Sequence, residues 1–160
     1  MTGWRIGFGY DVHRFAPDRE LWLGGVRIPH TQGLMGHSDA DVLLHAISDA
    51  LLGAVAMGDI GTHFPDTDPQ WKGADSKKLL AAVVRSLHDA GWRVGNVDCT
   101  LVMERPKVLP HAPAMRQVIA GLLQVDIDAV SIKATTNERM GFVGRDEGAC
   151  AHAVALVHRA

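Results

Sequence analysis

The stretch Trp4-Arg-Ile-Gly-Phe-Gly-Tyr-Asp-Val-His13 alternates with period two. In a strand, Trp4, Ile6, Phe8, Tyr10 and Val12 share one face, and Gly7, Gly9, Asp11 and His13 share the other. Asp11 and His13 therefore point the same way, and the bare glycines beside them are expected to leave room for a ligand. A lone Asp-x-His on a strand is more often a surface pair or a hydrogen-bonded core histidine. Here it is followed by a second cluster, His37-Ser-Asp-Ala-Asp41, leading to His45. Ser38 or Asp39 is placed to cap a helix running to about Met57, with Val42, Leu43, Ala46, Ile47, Ala50, Leu51 and Ala54 as its apolar positions. Asp41, His45, Ser48 and Asp49 form a polar stripe on the rest of that helix. Asp41 and Asp49 each lie one turn from His45, so either is placed to orient its ring. Asp11, His13 and His45 supply two imidazoles and a carboxylate, a ligand set that suits zinc with one position left open for Lewis-acid chemistry.

Working outward, Leu21–Leu23 and Val26–Ile28 flank Gly24-Gly25 as a hairpin. Residues 58–69 are rich in turn formers and acids and read as a loop. Asp75 or Ser76 starts a second helix with Leu79, Leu80, Val83, Val84 and Leu87 inward, ending at Gly91. Val97–Glu104 alternates as a strand, Pro110 and Pro113 introduce a third helix through Leu123, and Val130–Thr136 is a further strand. From about Gly148 the tail also reads as a strand, with Cys150, His152, Val154, Leu156 and His158 alternating with Ala149, Ala151, Ala153 and Ala155. The expectation is an α+β fold, a mixed β-sheet with helices on one face. The alanine row, on the other face, is expected to suit close packing against another sheet, including one from another subunit.

At 160 residues the chain reads as one domain over 1–160, and 47% hydrophobic residues are enough for a substantial core. A formal charge of −2 argues against a broad nucleic-acid surface. There is no apolar run of membrane-spanning length and no signal-peptide layout, and Cys99 and Cys150 fit buried thiols in a reducing cytoplasm. These features point to a soluble cytoplasmic protein without nucleic-acid or membrane partners.

The remaining polar segments lie in loops. Asp59, Asp66 and Asp68 read first as turn formers, with metal or hydroxyl binding as alternatives, and the amides of Gly58–Gly61 suit oxygen-rich ligands. Arg105-Pro-Lys-Val-Leu-Pro110 precedes a helix, where backbone groups can meet a flat ring and Lys107 a phosphate. Thr135, Thr136 and Glu138 suit phosphate oxygens and a hard cation. No nucleophilic serine or cysteine motif and no Walker-type loop is present. Metal-assisted phosphoryl chemistry is the leading class from the residues alone, with a general zinc hydrolase left open.

Taken together, Gly9–His13, His37–Ala54, Gly58–Asp68, Arg105–Lys107 and Lys133–Arg145 resemble the 2-C-methyl-D-erythritol 2,4-cyclodiphosphate synthases along essentially the whole chain. Ala40 stands where some members carry glycine. The resemblance implies cyclisation of 4-diphosphocytidyl-2-C-methyl-D-erythritol 2-phosphate, in the non-mevalonate isoprenoid pathway, with release of CMP. It implies zinc on Asp11, His13 and His45, and Mg²⁺ or Mn²⁺ on Glu138. His37 and Thr136 match positions that stabilise the transition state. His37, Ser38, Asp59, Ile60, Gly61, Phe64, Pro65, Asp66, Thr67 and Asp68 match the methylerythritol phosphate pocket, and Asp11, Val12 and His13 are further expected substrate contacts. Met103, Glu104, Arg105, Pro106, Lys107, Val108, Leu109, Ala134, Thr135 and Thr136 match the cytidine side, and Asn137 and Glu138 are further expected substrate contacts. The implied assembly is a homotrimer with sites between neighbours, and Phe142 and Arg145 match residues lining an axial cavity for isoprenoid diphosphates. A non-catalytic isoprenoid-binding trimer and a zinc-dependent phosphohydrolase are the alternatives.

Overall fold

The N-terminal alternation forms β1 (Trp4–Ala16), the longest strand of a computed structural model that describes residues 3–160. The first two positions of the expected 1–160 domain lie outside the described residues. The chain continues through β2 (Leu21–Leu23), β3 (Val26–Ile28), β4 (Gly33–Leu34), α1 (Val42–Ala54), α2 (Ile60–His63) and α3 (Ser76–Asp89). Then follow β5 (Trp92–Val102), α4 (Ala112–Leu123), β6 (Val130–Thr135), α5 (Gly141–Gly144) and β7 (Gly148–Arg159). The main sheet has the order β4-β1-β7-β5-β6. Its β7 runs antiparallel to both β1 and β5, while β5 and β6 are parallel. The Gly24-Gly25 hairpin joins β2 to β3, both glycines having positive φ. The fold is α+β with a mixed sheet, as the sequence predicts.

Helix α1 is the centre of the core. Leu43, Leu44, Ile47, Leu51 and Leu52 are fully buried, each contributing about 1.5–3 kcal/mol of hydrophobic stabilisation. The room expected from the bare glycines is not ligand space, because α1 occupies the face over Gly7 and Gly9. A Cβ on Gly9 would stand 1.9 Å from the Ala46 carbonyl oxygen, and one on Gly7 1.8 Å from that of Ala50. The glycines serve close helix–strand approach.

The same packing corrects the alanine row. Gly7 pairs with Ala155, Gly9 with Ala153, Asp11 with Ala151 and His13 with Ala149, so these residues share the face that α1 covers. All four alanines are buried there within the chain rather than against another sheet. It is the opposite face that lies open, where Trp4, Ile6, Phe8, Tyr10 and Val12 are 41–70% exposed. Small side chains mark the helix-facing side and large apolar ones the uncovered side.

The first helix starts later than predicted, at Val42, and its cap is Asp41, whose side chain accepts the Leu44 N–H. Asp75 caps α3 through the Lys77 N–H, and Leu79, Leu80, Val83, Val84 and Leu87 face inward as expected. Among the described residues no helix is long and apolar enough to cross a membrane.

Candidate functional site

Asp11 and His13 lie near the C-terminal end of β1, and His45 is in the first turn of α1, where the glycine contacts hold strand and helix close. Asp11 Oδ2 lies 2.8 Å from His13 Nε2 and 2.9 Å from His45 Nδ1, and the two nitrogens are 3.3 Å apart. A tetrahedral site with bonds of about 2.0–2.1 Å spaces its ligand atoms by roughly 3.3 Å. His13 Nδ1 is 2.8 Å from the Met35 carbonyl oxygen, which can only accept, so that nitrogen carries a proton, and in the neutral form of the ring it is Nε2 that is bare and faces the cluster. A nitrogen lone pair, a second imidazole and a carboxylate converging on one point form a metal-ligand set, the one such group among the described residues.

Electrostatics agree with this grouping. Burial by itself opposes ionisation of Asp11, but the hydrogen bonds from His13 and His45 and their positive charge outweigh it and hold the carboxyl at about 2. Desolvation would lower His13, yet pairing with Asp11 and the Met35 carbonyl raises it above its ordinary value. The cluster thus pairs an ionised carboxylate with two imidazoles whose inward protons a cation can displace.

The orienting partners of His45 are not those expected. Asp41 is fully buried and accepts the N–H groups of Gly24, Gly25 and Leu44, at 2.9, 2.7 and 3.1 Å, so it ties the hairpin to the helix. Asp49 accepts the Ile60 N–H at 2.8 Å, anchoring the loop before α2. His45 Nε2 instead meets Ser76 Oγ at 2.8 Å and Ser38 Oγ at 3.2 Å. Ser76 and its partner Asp39 are functional candidates that the sequence reading missed. No periodicity relates position 76 to position 45, and Ser76 reads there only as a helix start.

The cluster opens into a cavity of about 470 Å³ that also takes in His37, Ser38, Ile60, Gly61, Phe64, Pro65, Asp66, Trp71 and Leu79. Trp71 and Leu79 were not predicted; Trp71 packs edge-on against Phe64, with ring centroids 5.0 Å apart. His37 Nε2 is 3.3 Å from the Asp68 carbonyl oxygen. Asp59 and Asp68 act as turn formers, Asp59 accepting the Thr62 N–H and Asp68 that of Gln70. Those two carboxyls and Thr67 do not line the cavity, and Val12 stands on the opposite face of β1. Ala40, in the loop before α1, has a φ of +56°, a left-handed conformation in which glycine is favoured.

The second group of predicted residues clusters elsewhere. Met103 and Val108 are buried, while Arg105, Lys107 and Leu109 are exposed. The Met103 N–H donates to the Thr135 carbonyl at 3.0 Å, continuing the β5–β6 pairing. Glu104 accepts the Asn137 and Arg139 N–H groups at 3.0 and 3.3 Å and so shapes the loop after β6. Arg105 pairs with Asp146 at 2.6 Å beside a cavity of about 320 Å³. Ala134, Thr135, Thr136 and Glu138 are exposed, and the Thr136 hydroxyl accepts the Glu138 N–H at 3.3 Å. Phe142 is exposed on α5, and Arg145 pairs with Glu147 at 2.7 Å.

Sheet register fixes how the two groups relate. Asp11 pairs with Ala151, Ala151 with Leu101, and Leu101 with Ala134, so both groups lie at one end of the sheet. Three strand intervals separate them, about 14–15 Å. The chain brings the acid–histidine group and His37 together in one cavity and leaves the 103–109 and 134–138 group apart from them.

Comparison with known proteins gives a consistent result. The chain matches the YgbB family over residues 4–158. It is 64% identical to a 2-C-methyl-D-erythritol 2,4-cyclodiphosphate synthase of Pseudomonas savastanoi pv. phaseolicola, over 98% of this chain and 99% of that one. The bifunctional IspDF from Campylobacter jejuni superposes with a TM-score of 0.96 at 39% identity, covering 100% of this chain, which spans 43% of that longer one. A 2C-methyl-D-erythritol-2,4-cyclodiphosphate synthase bound to CDP superposes with a TM-score of 0.88 at 37% identity, covering 96% of this chain and 99% of that one.

Proposed function

The chain belongs to the YgbB family, and we propose that it converts 4-diphosphocytidyl-2-C-methyl-D-erythritol 2-phosphate to 2-C-methyl-D-erythritol 2,4-cyclodiphosphate and CMP. The carrying observation is the Asp11–His13–His45 cluster opening onto the His37 cavity, in a chain 64% identical over nearly its whole length to a synthase of that name. In this reaction an oxygen of the substrate's 2-phosphate bonds to the β-phosphorus. The bond from that phosphorus to the bridging oxygen breaks, and CMP departs with the electron pair. The nucleophile belongs to the substrate, so the protein supplies proximity and charge neutralisation.

Asp11, His13 and His45 would hold zinc, a borderline metal suited to two imidazoles and a carboxylate. Zinc there supplies Lewis-acid neutralisation of phosphate charge. His37 is placed in the same cavity to donate to phosphate oxygens, with Ser38, Ile60, Gly61, Phe64, Pro65 and Asp66 forming the methylerythritol side. Residues 103–109 and 134–138 take the cytidyl diphosphate, Thr136 donating to it and Glu138 binding Mg²⁺ or Mn²⁺. The CDP bound to the related structure supports a cytidyl ligand.

Homotrimeric assembly is the reading that best fits the uncovered apolar face, since a patch this large marks an association surface. It also gives the separated groups a way to meet, each completing a site with a neighbour. Phe142 and Arg145 would then lie near the axis, facing a cavity suited to an isoprenoid diphosphate. One domain over 1–160 and a cytoplasmic location complete the proposal. Incubation of the purified protein with the cytidyl substrate and a divalent metal should release CMP and the cyclic diphosphate in equal amounts. Release of inorganic phosphate would identify a phosphohydrolase instead, and no turnover would leave the non-catalytic isoprenoid-binding alternative.

A further inference from the structure

We propose that Ser76 and Asp39 form a positioning pair that fixes the proton on His45 Nε2 and so leaves Nδ1 free to bind the metal. The inference rests on the metal-site part of the proposed function and concerns residues that this reading does not use.

Asp39 receives two backbone N–H groups, from Asp41 on Oδ1 at 3.0 Å and from Ser76 on Oδ2 at 2.9 Å. Its carboxylate is therefore held as an acceptor. The Ser76 hydroxyl also donates to Asp39 Oδ1, in a short contact. A hydroxyl has one proton, so Ser76 Oγ has only lone pairs left for its other neighbour, His45 Nε2, 2.8 Å away. The contact is satisfied only if Nε2 carries the hydrogen. In the neutral imidazole Nδ1 is then bare, and Nδ1 is the atom beside Asp11 Oδ2 and His13 Nε2.

The arrangement is buried and rigid. Ser76 is 1% exposed and His45 7% exposed. The Asp39 N–H donates to the Ala74 carbonyl at 3.1 Å, tying its loop to the start of α3. The Met35 carbonyl does for His13 what Ser76 does for His45, so in each neutral imidazole the bare nitrogen is the one that faces the shared point. Ser38, 3.2 Å from His45 Nε2, is a weaker substitute because its hydroxyl is not committed to a carboxylate. Partners of this kind are worth about 10–100-fold in metal affinity.

The test compares zinc affinity of the wild-type protein and Ser76→Ala by competition with a chelator, alongside thermal unfolding of each metal-free protein. The expected result is a 10–100-fold weaker zinc affinity in Ser76→Ala with little change in the unfolding temperature. Equal zinc affinities overturn the positioning role while leaving the metal site standing, and a wild-type protein that takes up no zinc overturns both. Nitrogen-15 NMR of the zinc-loaded wild type gives a second reading that needs no variant. His45 should show a proton on Nε2 and metal-bound Nδ1, and the reverse assignment would overturn the inference even if Ser76→Ala failed to fold.

Discussion

The two ends of the proposed site are built in opposite ways. On the β1–α1 side the candidate ligands are buried or half-buried and hold one another, Asp11 between two imidazoles and His45 against the buried Ser76. On the β5–β6 side, Thr136 and Glu138 stand exposed on a loop shaped by one carboxylate, that of Glu104. The difference follows from what each must do. Donor atoms that share a cation have to be brought within about 3 Å against their own repulsion, which demands a rigid, buried frame. A surface proposed to take a nucleotide has to admit and release a large ligand, and an open surface, completed on the proposed reading by a neighbouring subunit, serves that purpose.

Breaking the rigid end should have the largest effect. His45→Ala removes a metal-binding atom and should lower CMP release by about 10³-fold or more, with zinc content measured on the same sample falling in parallel. Full zinc occupancy in that variant would show that the cluster is not the metal site.

A smaller loss is expected from groups that only donate to developing charge. His37→Ala on the closed side and Thr136→Ala on the open side should each reduce kcat by about 10²-fold, with a lesser change in KM. Steady-state kinetics separate this from simple binding, because a raised KM with unchanged kcat would mean that they hold substrate without favouring the transition state. Similar losses from both variants would show that the exposed end participates in chemistry as fully as the buried one.

The frame itself should show up in stability rather than rate. Asp41→Ala strands the N–H groups of Gly24, Gly25 and Leu44 inside the protein. The expected cost is about 2–3 kcal/mol in urea unfolding, less than the sum of three lost bonds because burial also pushes the Asp41 carboxyl up and its removal relieves that burden. An unchanged midpoint would mean that hairpin and helix are held together by hydrophobic contact alone.

How far the sequence foretold these features depends on the range of the interactions involved. Period two in residues 4–13 located β1 and set Asp11 beside His13, and the helical repeat after Asp41 located α1, because both patterns are local. The candidate ligand trio was legible from residue chemistry, and the fold brings its three side chains together. What a strand face packs against was not. Gly7 and Gly9 read equally well as open space or as a seat for a helix, and Ala149–Ala155 as a seat for a sheet or a helix, and the answer came from α1 packing across the β1–β7 pair. Ser76 was invisible for the same reason, since its meeting with His45 spans 31 positions and leaves no spacing signature. Asp41 misled because one turn of helix places a carboxylate near an imidazole in projection, whereas as a cap it turns back toward the backbone.

The central claim is that the buried and exposed ends belong to one reaction and meet between subunits. Co-refolding His45→Ala with Thr136→Ala tests it most directly, since each protein alone carries one lesion in every site. Mixed trimers would contain some interfaces built from two intact ends and others carrying both lesions, so part of the CMP-releasing activity should return. No recovery in verified mixed assemblies would place each complete site within a single chain and contradict the account.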